Sequence, residues 1–395
     1  MPEEHPVFTP ARLGALELRN RVIRSAAFEG MCPGGVPSDE LVAYHRRLAE
    51  GGVGMSTVAY ASVEREGLTY GHQICLDRPG VEDGLRRVAD AIREGGAASC
   101  IQIGHAGYFA APYVTRSRPV GASSMLNLYG LSISRELGSA GISRLLDAFE
   151  RGAAMVVEAG FDAVEVQAAH GYLLSQFLSP YTNRRSDRWG GSLENRLRFP
   201  LEVIRRVRRA VGDEHPVIVK MNLRDGFEGG LELEESVGIA RAFAGEGVDA
   251  LVPSGGFVSK VPMYVMRGDV PFEDMYRGQR EIVKKVGLLL LGKVIVKAFP
   301  YRDLYFLDGA RRIRAEVDVP LVVIGGVRTL EQMDGVVREG FEFVAMARPL
   351  VREPDLVARM RDGTALASTC EPCNRCVGAM DHGAVRCLDL EEKGG

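Results

Sequence analysis

The sequence predicts an α/β fold: a single (β/α)8 TIM barrel over residues 1–362, followed by a cysteine-rich C-terminal tail over residues 363–395. Short apolar segments of strand length recur eight times, and a helical pattern of apolar residues follows nearly every one. Strands that are apolar on both faces belong to a parallel sheet covered by helices. Eight such units in one chain favour a closed barrel over an open sheet.

An open, doubly wound sheet is the competing interpretation. That fold would carry a G-x-G-x-x-G turn after its first strand, and the segment SAAFEGMCPGG found there lacks this spacing. The chain has 395 residues and is 46% hydrophobic, enough to bury one large core without disulfides. The barrel therefore remains the prediction.

The eight predicted strands follow one another at intervals that leave room for a helix. They are Arg21–Ala26, Met55–Val63, Ala98–Gly104, Phe161–Ala168, Pro216–Asn222, Ala250–Ser254, Pro320–Gly326 and Phe341–Arg348. The first helix carries its own boundary signals, because Ser38 is a typical N-cap followed by two acids, and Gly51-Gly52 ends the pattern.

Two connections are longer than simple turns: residues 105–141 after the third strand and residues 255–300 after the sixth. Such connections lie on the catalytic face of a barrel, where they form a lid or a substrate-binding surface, or are excursions without function. Within the second, the apolar stretch Val286–Phe299 fits either a buried helix or a contact between subunits of a homo-oligomer.

The charge pattern excludes several classes of partner. A net charge of -3 argues against a nucleic-acid or polybasic membrane surface. The N-terminal segment MPEEHPVFTPARL lacks the features of a signal peptide, and no apolar run reaches the roughly 18 residues of a membrane helix. We expect a cytoplasmic protein that acts on a small molecule.

The end of the fourth strand carries the strongest chemical signal. Gln167, His170 and Tyr172 leave the carboxyl end of a barrel strand, where side chains converge on a bound molecule. An amide and an imidazole can bind a carbonyl oxygen that gains charge as hydride reaches the β-carbon, and a phenol can protonate the α-carbon. The residues alone equally allow a core histidine bonded to backbone.

The segment HGYLLSQFLSPYTNRRSDRWGGSLENRLRF, from His170 to Phe199, resembles the signature of the old yellow enzyme family. The similarity extends from FTPARLGALELRNRVIRSA near the N-terminus to MARPLVREPDL near the end of the barrel. The resemblance implies an FMN-binding barrel that oxidises NADH or NADPH and passes hydride to electron-poor alkenes. Two alternatives stay open: an FMN-dependent dehydrogenase of an amine or alcohol, and a non-catalytic barrel that binds a flavin or another phosphorylated ligand.

The resemblance also implies the cofactor site. Gln102 would contact the flavin pyrimidine ring, and Lys220 would stabilise the negative charge of reduced flavin at N1. Lys220 could instead be a structural, ion-paired lysine. The positions that match contacts to the isoalloxazine ring are Ser25, Ala26, Ala27 and Tyr60, and those that match the FMN phosphate site are Gly325, Gly326, Ala347 and Arg348.

Three positions depart from the family pattern; one of them is Tyr108 in the segment HAGY, where many members carry an arginine. Gln167 stands where the family carries the first histidine of a His-His or His-Asn pair, and an amide can never be cationic. Phe28 stands where a threonine or cysteine is usual near the flavin, so the flavin potential is expected to differ.

Four of the seven cysteines, Cys370, Cys373, Cys376 and Cys387, crowd the tail. Their spacing resembles the motif that holds a [4Fe-4S] cluster in dienoyl-CoA reductase-type members, although the third interval is one residue shorter and only eight residues follow Cys387. Four thiolates at these intervals suit an iron–sulfur cluster or zinc. A cluster, zinc and free thiols are the three alternatives.

Overall fold

The computed structural model describes residues 5–127, 131–278, 285, 289, 292, 296–380 and 383–393. Eight parallel strands form the barrel within these ranges, each inside one of the predicted segments. They are β1 (Val22–Arg24), β2 (Met55–Ser62), β3 (Ala98–Gly104), β4 (Ala163–Ala168), β5 (Val217–Asn222), β6 (Ala250–Ser254), β7 (Val322–Ile324) and β8 (Phe343–Met346). The predicted fold class is confirmed.

The strands pair in the order β6-β5-β4-β3-β2-β1-β8-β7. A parallel bridge between Leu251 and Leu321 joins the two ends of this order. The sheet is therefore closed, and its carboxyl edges meet in one ring.

Each barrel strand is followed by a helix in the described part of the chain. These are α1 (Asp39–Glu50), α2 (Val81–Glu94), α3 (Ser139–Glu158), α4 (Leu193–Val211), α5 (Leu233–Gly245), α6 (Leu307–Arg314), α7 (Leu330–Arg338) and α8 (Leu356–Arg361). Shorter helices lie at Pro112–Thr115, Leu173–Leu178, Pro262–Met266, Phe272–Gly278, Arg348–Arg352, Arg375–Ala379 and Leu388–Lys393.

Helix α1 begins and ends where its sequence signals predict. The hydroxyl of Ser38 accepts a hydrogen bond from the backbone nitrogen of Leu41 at 3.4 Å, and Gly51 follows the last helical residue. The cap satisfies a backbone donor that would otherwise be unpaired at the helix start.

Two apolar layers hold the barrel together. The outer layer lies between the strands and the helices, while side chains such as Ile218 and Phe343 fill the barrel interior. An N-terminal hairpin (Ala11–Leu13 and Leu16–Leu18) packs Leu13 and Leu18 against that interior cluster. Because the hairpin covers one end, the cavity of the barrel lies at the carboxyl edges of the strands.

The long connection after β3 contains a 3-10 turn at Gly107–Phe109 and a small hairpin that pairs Leu126–Asn127 with Ser132–Ile133. In the connection after β6, the helices Pro262–Met266 and Phe272–Gly278 are described. The predicted apolar stretch Val286–Phe299 lies largely outside the described residues, so both interpretations of it stay predictions.

The cysteine-rich tail packs on the barrel. The backbone nitrogen of Val385 donates to the carbonyl oxygen of Glu29 at 2.7 Å, and the amide of Asn374 donates to the carbonyl oxygen of Asp269 at 2.9 Å. The division at residue 362 stays a prediction. No helix among the described residues has the length and hydropathy needed to cross a bilayer.

Candidate active site at the carboxyl end of the barrel

A cavity of ~730 Å³ opens at the carboxyl ends of the barrel strands. The sequence predicted thirteen non-cysteine site residues, and the structure brings all of them to the wall of this cavity. They are Ser25, Ala26, Ala27, Tyr60, Gln102, Gln167, His170, Tyr172, Lys220, Gly325, Gly326, Ala347 and Arg348.

Lys220 has a partner that the sequence analysis missed. Its ammonium lies 2.9 Å from an oxygen of Glu165, and the amide nitrogen of Gln102 donates to the same oxygen at 2.6 Å. Lys220 also donates to the hydroxyl of Ser25 at 3.3 Å. Lys220 is thus ion-paired, as the structural interpretation expects, and it also faces the cavity, as the flavin-binding interpretation expects. A glutamate inside the apolar run AVEVQA was the available sequence signal.

His170 adopts an uncommon backbone conformation, with φ of 61°. Its backbone nitrogen donates to Asn222 at 2.9 Å, and its ring Nε2 lies 2.8 Å from the hydroxyl of Ser254. A left-handed conformation at a non-glycine residue costs energy and persists where the surroundings hold it. Ser254 ends β6, and its polar side chain at a strand terminus was the signal that could have identified it.

The imidazole of His170 is neutral at physiological pH. Desolvation and then the charge of Lys220 lower the pKa of His170 to about 3. The amide nitrogen of Gln167 lies 3.5 Å from its Nδ1, a marginal contact. The pair therefore offers two neutral hydrogen-bonding groups to a ligand, with no cation at either position.

Tyr172 belongs to an aromatic wall. Its ring meets that of Tyr60 edge-on at 5.1 Å, and the Tyr60 hydroxyl donates to Thr69 at 2.8 Å. Burial raises the pKa of Tyr172 to about 12, so its phenol keeps its proton at physiological pH. Phe28, which departs from the family pattern, stacks on Tyr70 at 4.5 Å in the same wall.

The loops after β7 and β8 carry the residues that the sequence predicts to bind the FMN phosphate. Gly325 and Gly326 have φ of 95° and 81°, and a Cβ at Gly326 would lie 2.6 Å from the backbone nitrogen of Leu304. The Nε of Arg328 is buried without a partner, and Arg348 bonds to the carbonyl oxygen of Arg267 at 3.2 Å. The positive-φ glycine turn and the unpartnered Nε of Arg328 at this edge suit a phosphate.

The four tail cysteines lie around one small cavity of ~20 Å³ beside Arg348 and Arg352. Cys370 and Cys376 line the large cavity as well. The Nη1 of Arg352 lies 3.4 Å from the sulfur of Cys387. Across the described ranges, no group of three or more His, Cys, Asp or Glu side chains stands in a metal-binding arrangement. The four cysteines share one cavity near two guanidiniums, and the metal site stays a prediction.

The charged side chains that line the large cavity are cationic, although Lys220 is paired with Glu165. The charged side chains on its wall are Lys220, Lys260, Arg328 and Arg348, and none of its described lining residues is an aspartate or glutamate. Such a lining favours anionic ligands and disfavours a cationic amine.

A family model described as the NADH:flavin oxidoreductase / NADH oxidase family matches residues 6–287. Among the curated relatives, a 4,4'-dithiodibutanoate disulfide reductase of Rhodococcus erythropolis is 38% identical over 97% of this chain and 94% of its own length. A metal reductase of Desulforamulus reducens is 32% identical over 98% of this chain, which spans 54% of that protein.

Among solved structures, an old yellow enzyme homologue from Zymomonas mobilis superposes with a TM-score of 0.73 and 22% identity. The alignment covers 92% of this chain and 94% of that one. This likeness supports the barrel fold.

Proposed function

Because the chain belongs to the NADH:flavin oxidoreductase / NADH oxidase family, whose members bind FMN and use NAD(P)H as reductant, we propose that it reduces electron-poor alkenes. The predicted resemblance to the old yellow enzyme family is thereby confirmed, as is an oxidoreductase with this cofactor and reductant. The alkene as acceptor is the proposal. FMN, when bound, accepts hydride from NAD(P)H and delivers it to the acceptor.

The observation that carries the proposal is the grouping of Gln167, His170 and Tyr172 on one cavity wall. Gln167 and His170 would hold the acceptor carbonyl by hydrogen bonds, which strengthen as negative charge develops on its oxygen. Tyr172 would supply the proton to the α-carbon, because its raised pKa keeps the phenol protonated.

The remaining wall residues fit the cofactor. Lys220 would oppose negative charge on the flavin pyrimidine, and Gln102 retains its amide oxygen and one N–H after its bond to Glu165. Arg328 and Arg348 would hold the phosphate with the backbone of Gly325 and Gly326. The unpartnered Nε of Arg328 supports this assignment.

A second acceptor class, the small-molecule disulfide, is favoured by the relative from Rhodococcus erythropolis, which aligns nearly end to end. Reduction of a disulfide by NADH and one proton gives two thiols and NAD⁺, so the same hydride donor suffices. Tyr172 would then protonate the departing thiolate. The two acceptor classes therefore share one set of residues.

The two alternatives to reduction gain less support. An amine dehydrogenase would bring a cationic substrate to a wall whose described charges are all positive. Family membership makes the chain an oxidoreductase, so a barrel that only carries its ligand has no observation in its favour.

For the tail, we propose a [4Fe-4S] cluster held by Cys370, Cys373, Cys376 and Cys387. Two of these thiols face the flavin cavity, so such a cluster would lie at its edge. Zinc and free thiols remain the competing outcomes.

The test mixes anaerobically reduced holoenzyme with cinnamaldehyde or with 4,4'-dithiodibutanoate and follows flavin reoxidation by absorbance. Rapid reoxidation by the alkene, with formation of the saturated aldehyde, is the expected result. If only the disulfide reoxidises the flavin, the acceptor is a disulfide rather than an alkene. Failure of both, with normal flavin reduction by NADPH or NADH, would reject both acceptor proposals.

A further inference from the structure

Lys260 is a cation on the cavity wall that the proposed chemistry leaves without a role. It lies in the connection after β6 and is half-buried. Its ammonium sits 3.7 Å from the ring centre of Tyr181 and 4.0 Å from that of Phe227. These two rings meet edge-on, so together they hold the end of the lysine side chain in one place.

Lys260 differs from the other lysine of the cavity in its charge balance. Lys220 is neutralised by Glu165 at 2.9 Å. Across the described ranges, no carboxylate lies within ion-pairing distance of Lys260, and no hydrogen-bond acceptor is found for its ammonium. Aromatic faces compensate a partly desolvated positive charge only in part. Lys260 lines the cavity, whereas the two rings that hold its ammonium do not, so the ammonium lies at the cavity edge. An anion bound there would meet a cation without a carboxylate partner among the described residues.

The backbone beside Lys260 is fixed relative to the candidate catalytic residues. The nitrogen of Val258 donates to the carbonyl oxygen of His170 at 3.0 Å. The hydroxyl of Ser259 bonds to that of Tyr108, which comes from the connection after β3. The loop that carries Lys260 is thus hydrogen-bonded to the backbone of His170. Arg328 and Arg348 occupy the loops after β7 and β8 instead.

We infer that Lys260 is a specificity-determining residue that binds a carboxylate on the acceptor. The inference rests on the proposed function, because it assumes that an acceptor occupies the wall with His170. It narrows the substrate class to electron-poor alkenes or disulfides that carry a carboxylate away from the reacting bond. The same charge could also bind a phosphate of the nicotinamide cofactor, and the experiment separates the two sources.

The experiment compares the wild type with Lys260→Met, which keeps the length of the stem and removes the charge, and with Lys260→Arg, which keeps the charge. The acceptors are 4-carboxycinnamaldehyde and its methyl ester. We expect Lys260→Met to lower kcat/KM for the acid about tenfold or more and to leave the ester within about twofold. Lys260→Arg should retain most of the preference for the acid.

A binding measurement keeps the inference independent of turnover. Titration calorimetry of the FMN-loaded enzyme would use 4-formylbenzoate and its methyl ester, which have no alkene to reduce. If neither cinnamaldehyde is reduced but 4-formylbenzoate binds more tightly than its ester only when Lys260 is present, the alkene proposal fails and the carboxylate site stands. If the wild type binds the acid and the ester equally well, Lys260 does not bind the carboxylate of the acceptor. A weaker interaction of Lys260→Met with NADPH or NADH, with acceptor binding unchanged, assigns the charge to the nicotinamide cofactor and also overturns the carboxylate site.

Discussion

The ammonium of Lys220 lies 2.9 Å from the carboxylate of Glu165, and both side chains are withdrawn from solvent. Glu165 also accepts from Gln102, so one carboxylate holds two of the residues predicted to contact the flavin. The pair balances a buried positive charge that would be costly alone. Glu165 lies on β4 and Lys220 on the neighbouring strand β5. These two strands pair in parallel, with Gln167 opposite Lys220.

This ion pair predicts opposite shifts of the flavin potential. Lys220→Met should lower the two-electron potential, because it removes the positive charge that stabilises reduced flavin. Glu165→Gln should raise it, because the lysine charge is no longer balanced. We expect each change to be about 30 mV or more, or about 1.4 kcal/mol for two electrons. The flavin potentials are measured by dye equilibration, with the surface variant Glu202→Gln as control. If both variants shift the potential in the same direction, Lys220 does not lie beside the flavin as proposed.

Tyr172→Phe should slow acceptor reduction by about 10²- to 10⁴-fold, the usual contribution of a general acid. Reduction of the flavin by NAD(P)H should stay nearly unchanged, because that half-reaction needs no proton from Tyr172. Stopped-flow measurement of the two half-reactions tests this. Tyr70→Phe changes another phenol of the same wall to which no proton transfer is assigned, and it should leave both rates near wild type. Equal losses in both half-reactions of Tyr172→Phe would contradict the role.

His170 predicts a defined dependence of stability on pH. Its pKa in the folded protein is about 3, below its ordinary value of 6.5. The folded state therefore resists protonation that the unfolded state accepts, so the contribution of His170 to stability is complete above pH 6.5 and is lost as the pH falls from 6.5 toward 3. Urea denaturation of the wild type should show a steeper loss across this range than that of His170→Asn. Parallel curves would show that His170 is not held neutral.

Arg348→Met should weaken FMN binding about 10- to 100-fold, or about 1.4–2.8 kcal/mol, because a charge-assisted contact to phosphate is lost. The measurement is the dissociation constant from fluorescence titration of apoprotein with FMN. Riboflavin, which lacks the phosphate, should bind the variant and the wild type equally well. If Arg348→Met weakens riboflavin binding as much as FMN binding, the substitution acts on the stability of the protein and not on a contact to the phosphate.

If the tail holds a [4Fe-4S] cluster, protein purified without oxygen should contain about four irons and four acid-labile sulfides per chain. Cys373→Ser should lower both and leave the FMN content unchanged. Cys75→Ser, which alters a buried cysteine of the barrel, should lower neither. One zinc per chain would assign the site to zinc, and no metal would make the four cysteines free thiols.

Much of the site followed from local sequence. The strand pattern located eight segments, and the structure places their carboxyl ends at the cavity wall, because parallel strands in a closed barrel present these ends at one rim. Ser254 was missed, since a serine at a strand end is common and gains meaning only when it meets the ring of His170. Glu165 was missed for the same reason: its partners lie on two other strands.

The sequence by itself determined the barrel, its family and the residues that gather at one rim, because periodicity and motif spacing are properties of consecutive residues. Only the tertiary structure decided which charges are balanced there. It pairs Lys220 with Glu165, holds His170 neutral through desolvation and leaves Lys260 on two aromatic rings with no carboxylate partner among the described residues. The physical reason is that charge compensation and desolvation depend on strand register and on loop contacts between residues far apart in the chain.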